Sequence, residues 1–485
     1  MTRSSGILMP ISSLPGKYGI GTLGREAYRF ADFLHQAGQS CWQILPAGPT
    51  TIGDSPYQSF SSYAGNPYFI DPELLCEEGL LTEQECRETE ELYCNALHAV
   101  DYGLLYRTRF ELLKKASDRA SSLYREEIER FVSGNQWADG YARFMSLKRA
   151  NGMKGLEDWT EKEFSGDLSE DYRLFIFIQF AFNRQWKKFK AYVNSLGIRL
   201  FGDVPIYVSY DSADVWQEPE QFQLDENYVP DKVSGVPPDY FSRDGQLWGN
   251  PLYNYEKMAD DGYSWWIKRI GRAVELYDMI RIDHFRGFAS YWAVPYGAET
   301  AKEGSWVKGP GMDLVSTLTH WFSGTEFIAE DLGEATPDVK ELLDASCLPG
   351  MKVLQFAFDG DNNNPHLPHN YSANSVCYTG THDNATLAEW IRKNPKSRRI
   401  AKKYAGLNRA EGYAEGLIRL GMSSVSDLFI APMADWLGLD EEARINTPGT
   451  AFGNWCWRMQ EGCDSDLLAQ RICDLTDLFG RKRNV

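Results

Sequence analysis

Short apolar runs rich in β-forming residues recur along the chain, and each ends in Gly, Pro, Asp or Asn. A stretch with apolar residues at helical spacing usually follows, which predicts alternating strands and helices. Nearly continuous apolar character is typical of strands buried on both faces of a parallel sheet. The eight predicted strands cover residues 6–10, 41–46, 199–204, 279–284, 326–332, 351–358, 375–382 and 428–433.

Eight strand–helix units predict a closed (β/α)8 TIM barrel of the α/β class rather than an open sheet. We expect one catalytic barrel to span residues 1–485, with unequal connections. Residues 72–165 are rich in Glu, Leu, Lys and Arg at helical spacing, which predicts an inserted helical subdomain. Residues 205–278 are dense in Pro, Gly, Asp, Tyr and Trp and predict a loop-rich insertion, with residues 237–251 as an active-site lid.

Acidic side chains follow four of the predicted strands. Chemistry in such barrels sits at the carboxyl ends of the strands, so we expect these side chains to meet at one mouth. A single aspartate at a strand end is more often a helix cap or a turn former than a catalytic group. The acids are Asp203, Asp283, the adjacent pair Glu330 and Asp331, and Asp383.

The alternation of strand side chains sorts some of these acids. Arg281 and Asp283 share a face, and a guanidinium beside a carboxylate is expected to keep it ionised at neutral pH. Such a carboxylate could act as a nucleophile. Glu330 and Asp331 must point in opposite directions, so only one of them enters the mouth. The pattern of charge alone does not say which one it is.

Composition narrows the class of ligand. Fifty basic and 68 acidic side chains give a net charge of −18, which disfavours nucleic acid and anionic membrane surfaces as partners. Nine cysteines, an odd number without metal-type spacing, predict a reducing compartment. The longest apolar run is far too short to span a bilayer. A neutral or cationic ligand is favoured.

Carboxyls with few basic groups, wrapped in aromatic side chains, meet the requirements of glycosidic bond chemistry. One acid protonates the leaving oxygen, another attacks the anomeric carbon, and flat aromatic faces pack on sugar rings. Most aromatics near the mouth are expected to be core residues. Tyr57 and Trp248 are exceptions because each stands among turn-forming residues. The full set is Trp42, Tyr57, Tyr207, Tyr240, Phe241, Trp248, Tyr253 and Trp292.

Two other motifs are weak evidence for a bound dinucleotide or metal ion. Residues 19–24 match G-x-G-x-x-G, but about ten residues separate them from the preceding predicted strand, and no acid ends the next one. His366 and His369 lie in an asparagine- and proline-containing segment that reads as a loop. We therefore expect neither a dinucleotide nor a metal ion, and no other cofactor.

Several longer motifs together resemble the 4-α-glucanotransferases, also called amylomaltases or disproportionating enzymes, of glycoside hydrolase family 77 in the α-amylase superfamily. The resemblance runs nearly from end to end, and its motifs are specific as a set. They are DSPYQSFSSYAGNP at 54–67, GDVPIYV at 202–208, PDYFSRDGQLWGNP at 238–251, RIDHFRG at 281–287, AEDLG at 329–333, GTHDN at 380–384 and NTPGTAFGNWCW at 446–457.

The resemblance implies a retaining transfer of α-1,4-linked glucan segments, without a cofactor. It implies Asp283 as nucleophile, Glu330 rather than Asp331 as acid/base, and Asp383 as transition-state stabiliser. The expected partners are α-1,4-glucans and maltooligosaccharides, with glucose as an acceptor. The resemblance also implies substrate-binding roles for Tyr57, Asp203, Trp248, Arg281, His284, His382, Asn454 and, in the lid, Asp239 and Phe241.

Two alternatives stay open at the level of sequence. An amylase-type hydrolase would use the same carboxyls with water as the acceptor. A glucan-binding protein without activity could use the same barrel, although such a protein would be free to lose its carboxylates. A bacterial cytoplasm is the simplest location, and a plastid form whose transit peptide has been removed is the alternative.

Overall fold

The computed structural model describes residues 2–51, 53–238, 243–333 and 336–482. Twelve strands and seventeen helices are defined there. The strands are β1 (Ser4–Leu8), β2 (Cys41–Gln43), β3 (Arg199–Val204), β4 (Lys232–Val236), β5 (Gln246–Pro251), β6 (Met279–Ile282), β7 (Ser290–Pro295), β8 (Ser305–Lys308), β9 (Glu326–Ala329), β10 (Gly350–Val353), β11 (Ser375–Tyr378) and β12 (Leu428–Pro432).

The helices connect these strands and build most of the outer layer. They are α1 (Arg25–Gln36), α2 (Pro72–Glu77), α3 (Glu83–Leu92), α4 (Tyr102–Leu123), α5 (Arg125–Gly134), α6 (Gln136–Ala150), α7 (Ser169–Ser195), α8 (Ala213–Gln217), α9 (Tyr255–Asp260), α10 (Ser264–Leu276), α11 (Met312–Trp321), α12 (Pro337–Ser346), α13 (Leu387–Lys393), α14 (Pro395–Ala405), α15 (Tyr413–Ser423), α16 (Met433–Trp436) and α17 (Asp466–Leu478). Of the helices described, none is both long enough and apolar enough to cross a membrane.

Eight parallel strands form the barrel, in the order β10-β11-β12-β1-β2-β3-β6-β9. The two edge strands of this sheet, β9 and β10, approach each other. Ala329 N–H in β9 donates to the carbonyl of Pro349, next to β10, at 3.0 Å. The strands are buried throughout most of their length, as their apolar sequences require. The predicted (β/α)8 fold is confirmed.

The eight predicted strands coincide with the eight barrel strands, but several end earlier than predicted. The run predicted to end at His382, for example, leaves the sheet after Tyr378. Apolar and small residues continue into the turns at this end of the barrel, so composition overestimates the strand length. The residues that were predicted as strand but lie beyond the observed strand ends carry the polar groups of the mouth.

The connection between β3 and β6 is more regular than its loop-like composition predicts. It contains α8, α9, α10 and the strands β4 and β5, which are antiparallel neighbours. These strands join β7 and β8 in a second sheet of order β5-β4-β7-β8. Trp248, expected in a loop, lies in β5. Residues 72–165 contain α2 to α6, and the division into subdomains stays a prediction.

Candidate active site

Asp283 follows β6 directly at the carboxyl end of the barrel. Arg281 and Asp283 lie on one face, as strand alternation predicts, and Arg281 Nη2 donates to Asp283 Oδ1 at 2.6 Å. The same guanidinium donates through Nη1 to Asp203, the next-to-last residue of β3. Arg281 and Asp203 are both buried. One cation is therefore shared between two carboxylates.

Close packing beneath the mouth fixes the position of Asp203. The preceding residue is Gly202, where an added Cβ would come within 2.1 Å of the Tyr277 ring. Only glycine lets this ring pack against β3. Asp203 Oδ2 also accepts a hydrogen bond from the Tyr57 hydroxyl at 2.7 Å.

The electrostatic setting of Asp283 differs from the one expected from sequence. Burial raises the pKa of Asp283 to about 8, and the nearby carboxylates of Asp203, Glu330 and Asp383 add to this rise. Arg281 acts in the opposite direction, but its charge is divided between Asp283 and Asp203. Arg281 thus favours the ionised form of Asp283, as the sequence predicts, but burial and the neighbouring carboxylates outweigh its effect in the free protein. The sequence places these acids at one mouth, but it does not show that burial would determine the pKa of Asp283.

The structure separates the roles of the two adjacent acids after β9. Asp331 turns toward β10, where its Oδ1 accepts the backbone N–H of Met351 at 2.7 Å and helps to close the barrel. Glu330 turns toward Asp283 and its neighbour His284. Its Oε2 accepts His284 N–H and its Oε1 accepts Leu332 N–H, both at 2.8 Å. Glu330 is thus the member of the pair that meets the other acids.

His284 adopts the left-handed conformation, with φ 50° and ψ 47°, which turns the chain sharply after Asp283. Its ring meets the Trp248 ring edge to face, with the centroids 4.8 Å apart. Burial lowers the pKa of His284 to about 4, so the imidazole is neutral at physiological pH. It can therefore donate one hydrogen bond and accept another.

Asp383 lies in the turn after β11, where its neighbours hold it from two sides. Asn446 Nδ2 donates to Asp383 Oδ1 at 2.6 Å. His382 Nε2 lies 3.4 Å from the same oxygen. Burial lowers the pKa of His382, although Asp383 opposes this effect. The Asp383 side chain is 44% exposed, more than the 26% of the Asp283 side chain.

An aromatic wall joins these parts of the mouth. The Tyr57 ring stacks on His382, with centroids 5.0 Å apart and planes inclined by 16°. The Trp455 ring packs against both rings, with a centroid distance of 5.9 Å to each. Of the other aromatics considered from sequence, Trp42, Tyr207 and Tyr253 are core residues. Tyr57 and Trp248 are half-buried, as expected for side chains at the edge of a cleft.

Comparison with known proteins decides the family. The family profile described as 4-alpha-glucanotransferase matches residues 9–464. The chain belongs to the 4-α-glucanotransferase family. A 4-alpha-glucanotransferase from Clostridium butyricum is 44% identical over 487 residues, covering 98% of this chain and 100% of the relative. A 4-alpha-glucanotransferase from Thermus thermophilus is 45% identical over 485 residues, covering 95% and 96%.

Solved structures agree with this family assignment. The amylomaltase from Streptococcus agalactiae, determined in complex with acarbose, has a TM-score of 0.95 and 38% identity to this chain. The match covers 99% of this chain and 100% of that one. The amylomaltase from Corynebacterium glutamicum shares the fold, with a TM-score of 0.83 at 20% identity, over 99% of this chain and 75% of that one.

Three of the substrate-binding residues implied by the resemblance to 4-α-glucanotransferases remain to be placed. Asp239 and Phe241, expected in the lid, lie outside the described residues. Asn454 bonds within its own loop, where Oδ1 accepts Thr447 N–H and Nδ2 donates to the Thr450 carbonyl, both at 2.9 Å. Its binding role stays a prediction.

Two residues at the site, Asn446 and Trp455, were not singled out from the sequence. Both lie in the motif at 446–457, which was recognised as a block without assigning a role to either residue. Their contacts with Asp383 and His382 cross more than 60 residues, a separation that local patterns do not reveal. Within the described parts of the chain, no group of three or more His, Cys, Asp or Glu side chains could hold a metal ion.

Proposed function

We propose that this protein transfers α-1,4-linked glucan segments from a donor glucan to the 4-hydroxyl of an acceptor glucan or of glucose, with retention of the α configuration. The observation that carries the proposal is the gathering of Asp283, Glu330 and Asp383 at one mouth of the barrel in a chain of this family. Two carboxyls with separate roles are the minimum for a retaining mechanism.

In the first step, the ionised carboxylate of Asp283 attacks the anomeric carbon of the donor. Glu330 donates a proton to the glycosidic oxygen as the bond to the departing chain breaks. The products are a covalent glycosyl-enzyme at Asp283 and a shortened glucan that carries the transferred proton. The shared guanidinium of Arg281 stabilises Asp283 in its charged form at the moment of attack.

In the second step, Glu330 acts as a base. It removes the proton from the incoming 4-hydroxyl, whose oxygen attacks the anomeric carbon and displaces the carboxylate of Asp283. The two inversions together retain the α configuration. Two backbone N–H groups hold Glu330 in place through both steps.

Asp383 interacts with ring hydroxyls of the sugar as the oxocarbenium-like transition state forms. Asn446 orients its carboxylate, and the neutral imidazoles of His284 and His382 provide further hydrogen bonds to hydroxyl groups. Trp248 and Tyr57 offer aromatic surfaces at the edge of the cleft, where a bound acceptor would displace water from the intermediate. We also propose that the protein works in a reducing compartment, as its odd number of cysteines predicts.

Incubation with maltotriose tests this function. A transferase yields glucose together with a series of longer maltooligosaccharides, while the concentration of reducing ends stays constant. A hydrolase raises that concentration, and a binding protein leaves maltotriose unchanged. Either of the last two results would contradict the proposal. A control without catalysis is Asp283→Ala, which removes the proposed nucleophile.

A further inference from the structure

The chain between β11 and α13 carries two residues of the mouth, His382 and Asp383. We call residues 379–387 the Asp383 segment. Its first residue, Thr379, directly follows β11, and its last, Leu387, is the first residue of α13. Both of these end residues are fully buried. The position of the Asp383 carboxylate over the barrel therefore depends on how the two ends of the segment are held.

A single carboxylate outside the segment binds both of its ends. Asp435 lies in α16, directly after β12, the barrel strand that pairs with β11. Its Oδ2 accepts the Thr379 hydroxyl at 2.6 Å, and its Oδ1 accepts the Leu387 N–H at 2.7 Å. Asp435 thus joins the end of a strand to the beginning of a helix, and the mouth residues lie on the chain between them.

The Asp435 side chain is buried and lacks a counter-ion. The residue is only 3% exposed, and in the described parts of the chain no cation pairs with its carboxylate. Burial raises the pKa of Asp435 to about 6, whereas the hydrogen bonds from Thr379 and Leu387 act in the opposite direction. The carboxylate is therefore mostly ionised at neutral pH, and its two hydrogen bonds are of the stronger, charge-assisted kind.

The stability of the fold does not explain a carboxylate at this position. Burying a charge without a cation is unfavourable. An asparagine of the same shape would still accept the Leu387 N–H through its carbonyl oxygen, and the Thr379 hydroxyl would then accept from the amide. The charge adds strength to the two bonds at the ends of the segment. We therefore looked for its role in the position of the residues between them.

Contacts inside the Asp383 segment make it a compact turn. Asn384 Oδ1 accepts both the N–H and the hydroxyl of Thr381, at 2.8 and 2.9 Å. From the neighbouring chain, Gln355 Nε2 donates to the Ala385 carbonyl at 2.7 Å. Because the turn is closed by its own side chains, a shift of either end is passed on to Asp383 rather than absorbed within the segment.

We propose that Asp435 is a positioning residue for glucan transfer, whose buried carboxylate binds both ends of the Asp383 segment and thereby sets the place of Asp383 against the sugar. The inference rests on the proposed function and adds to it a residue that does not touch the substrate. Asp383 is proposed to act in the transition state, so Asp435 acts on the chemical step more than on binding. A displacement of about 1 Å that arises far from the reacting atoms can reduce a rate about 100-fold.

The first test is Asp435→Asn, assayed for transfer from maltotriose at neutral pH. We expect kcat to fall about tenfold and KM to change less than about threefold. We also expect Tm to stay unchanged or to rise, because a buried charge has been removed. A residue that served stability alone would lower Tm and leave the kcat of the folded protein unchanged.

Asp71→Asn is the matched control. Asp71 is also buried, and its carboxylate likewise accepts a threonine hydroxyl, from Thr22 at 2.6 Å, and a leucine N–H, from Leu74 at 3.1 Å. It lies at the beginning of α2 and does not contact the Asp383 segment. We expect its kcat to equal that of the unmodified protein. Equal kinetics in the two variants, or a fall in kcat that only follows the loss of folded protein, would overturn the proposal.

A pair of variants at Thr379 tests the same contact without changing the buried carboxylate, and it decides the matter if Asp435→Asn does not fold. Thr379→Val keeps the shape of the side chain and removes the hydroxyl, whereas Thr379→Ser keeps the hydroxyl. We expect kcat to fall about tenfold in the valine variant and less than about threefold in the serine variant. The same kcat in both variants would overturn the proposal.

A double-mutant cycle shows whether Asp435 acts through Asp383. The first turnover of α-maltosyl fluoride supplies a measurable rate in Asp383→Asn, and adding Asp435→Asn there should lower that rate less than about threefold. The same loss in the presence and in the absence of Asp383 would overturn the proposal. Failure of the unmodified protein to produce longer glucans from maltotriose would instead overturn the proposed function.

Discussion

Glu330 accepts the backbone N–H of His284 at 2.8 Å. His284 directly follows Asp283, so the proposed acid/base is held by the residue next to the proposed nucleophile. The left-handed turn at His284 directs this N–H toward Glu330. The relative position of the two carboxyls is therefore fixed by main-chain atoms of the two neighbouring strand ends.

Replacing Glu330 with glutamine keeps the shape of the side chain and removes its ability to transfer a proton. We expect transfer from maltotriose to fall about 10²–10⁴-fold, the usual contribution of a general acid or base. The first turnover of an α-maltosyl fluoride, measured as rapid fluoride release, should fall much less, because fluoride leaves without protonation. Rates measured with both donors check this expectation. Asp331→Asn is the matched control, and equal losses with both donors in Glu330→Gln would contradict the role.

The raised pKa of Asp283 has a consequence for the dependence of activity on pH. The nucleophile must be ionised, so kcat/KM for the fluoride donor should fall as the pH decreases through the pKa of Asp283 in the free protein. Because that pKa is raised by burial and by neighbouring carboxylates, the acidic limb should lie well above the usual aspartate value of about 3.9.

Asp203→Asn provides the test of this assignment. The substitution removes one negative neighbour and leaves Arg281 with Asp283 as its remaining ion-pair partner in this cluster. Both changes favour the charged form of Asp283. We expect the acidic limb to move to lower pH by about one unit. A limb that stays in place, or that moves to higher pH, would assign the titration to a different group.

The sequence predicts the barrel well because its strands are buried on both faces and stand out as apolar runs. It predicts the chemistry less completely. Alternation shows that Glu330 and Asp331 diverge, but only the Met351 contact reveals which one closes the barrel. The sequence shows that Arg281 lies beside Asp283. That Arg281 also binds Asp203 depends on the pairing between β3 and β6. The β5 strand was missed because its Gly, Asn and Pro residues are typical of turns.

We expect Asn446 to support catalysis through its hydrogen bond to Asp383. In Asn446→Ala, an oxygen of the proposed stabiliser loses its donor, and we expect kcat to fall about 10–100-fold with a smaller change in KM. The control is Asn374→Ala, next to the opposite end of β11, where the side-chain amide donates to the Cys347 carbonyl. Equal kinetics in the two variants would remove Asn446 from the site.

Trp248 is expected to favour the sugar acceptor over water. Its ring packs against His284 and is half-buried, so part of the ring stays accessible beside a residue of the mouth. In Trp248→Ala, we expect the ratio of transfer to hydrolysis to fall about three- to tenfold, with a smaller loss of donor cleavage. Longer maltooligosaccharides measured against new reducing ends give this ratio. Trp248→Phe should retain most of it, and an unchanged ratio in the alanine variant would place water exclusion elsewhere.

The covalent intermediate at Asp283 is the centre of the proposed mechanism, and it can be observed directly. In Glu330→Gln, α-maltosyl fluoride should still form the glycosyl-enzyme, whereas its transfer to an acceptor lacks the base and becomes slow. Peptide mass spectrometry after rapid acid quenching then measures where the sugar is attached. We expect the maltosyl mass on the peptide that contains Asp283, and its loss in the Asp283→Ala, Glu330→Gln double variant. A maltosyl group on a different residue, or turnover without any adduct and with inversion of the product, would contradict the mechanism.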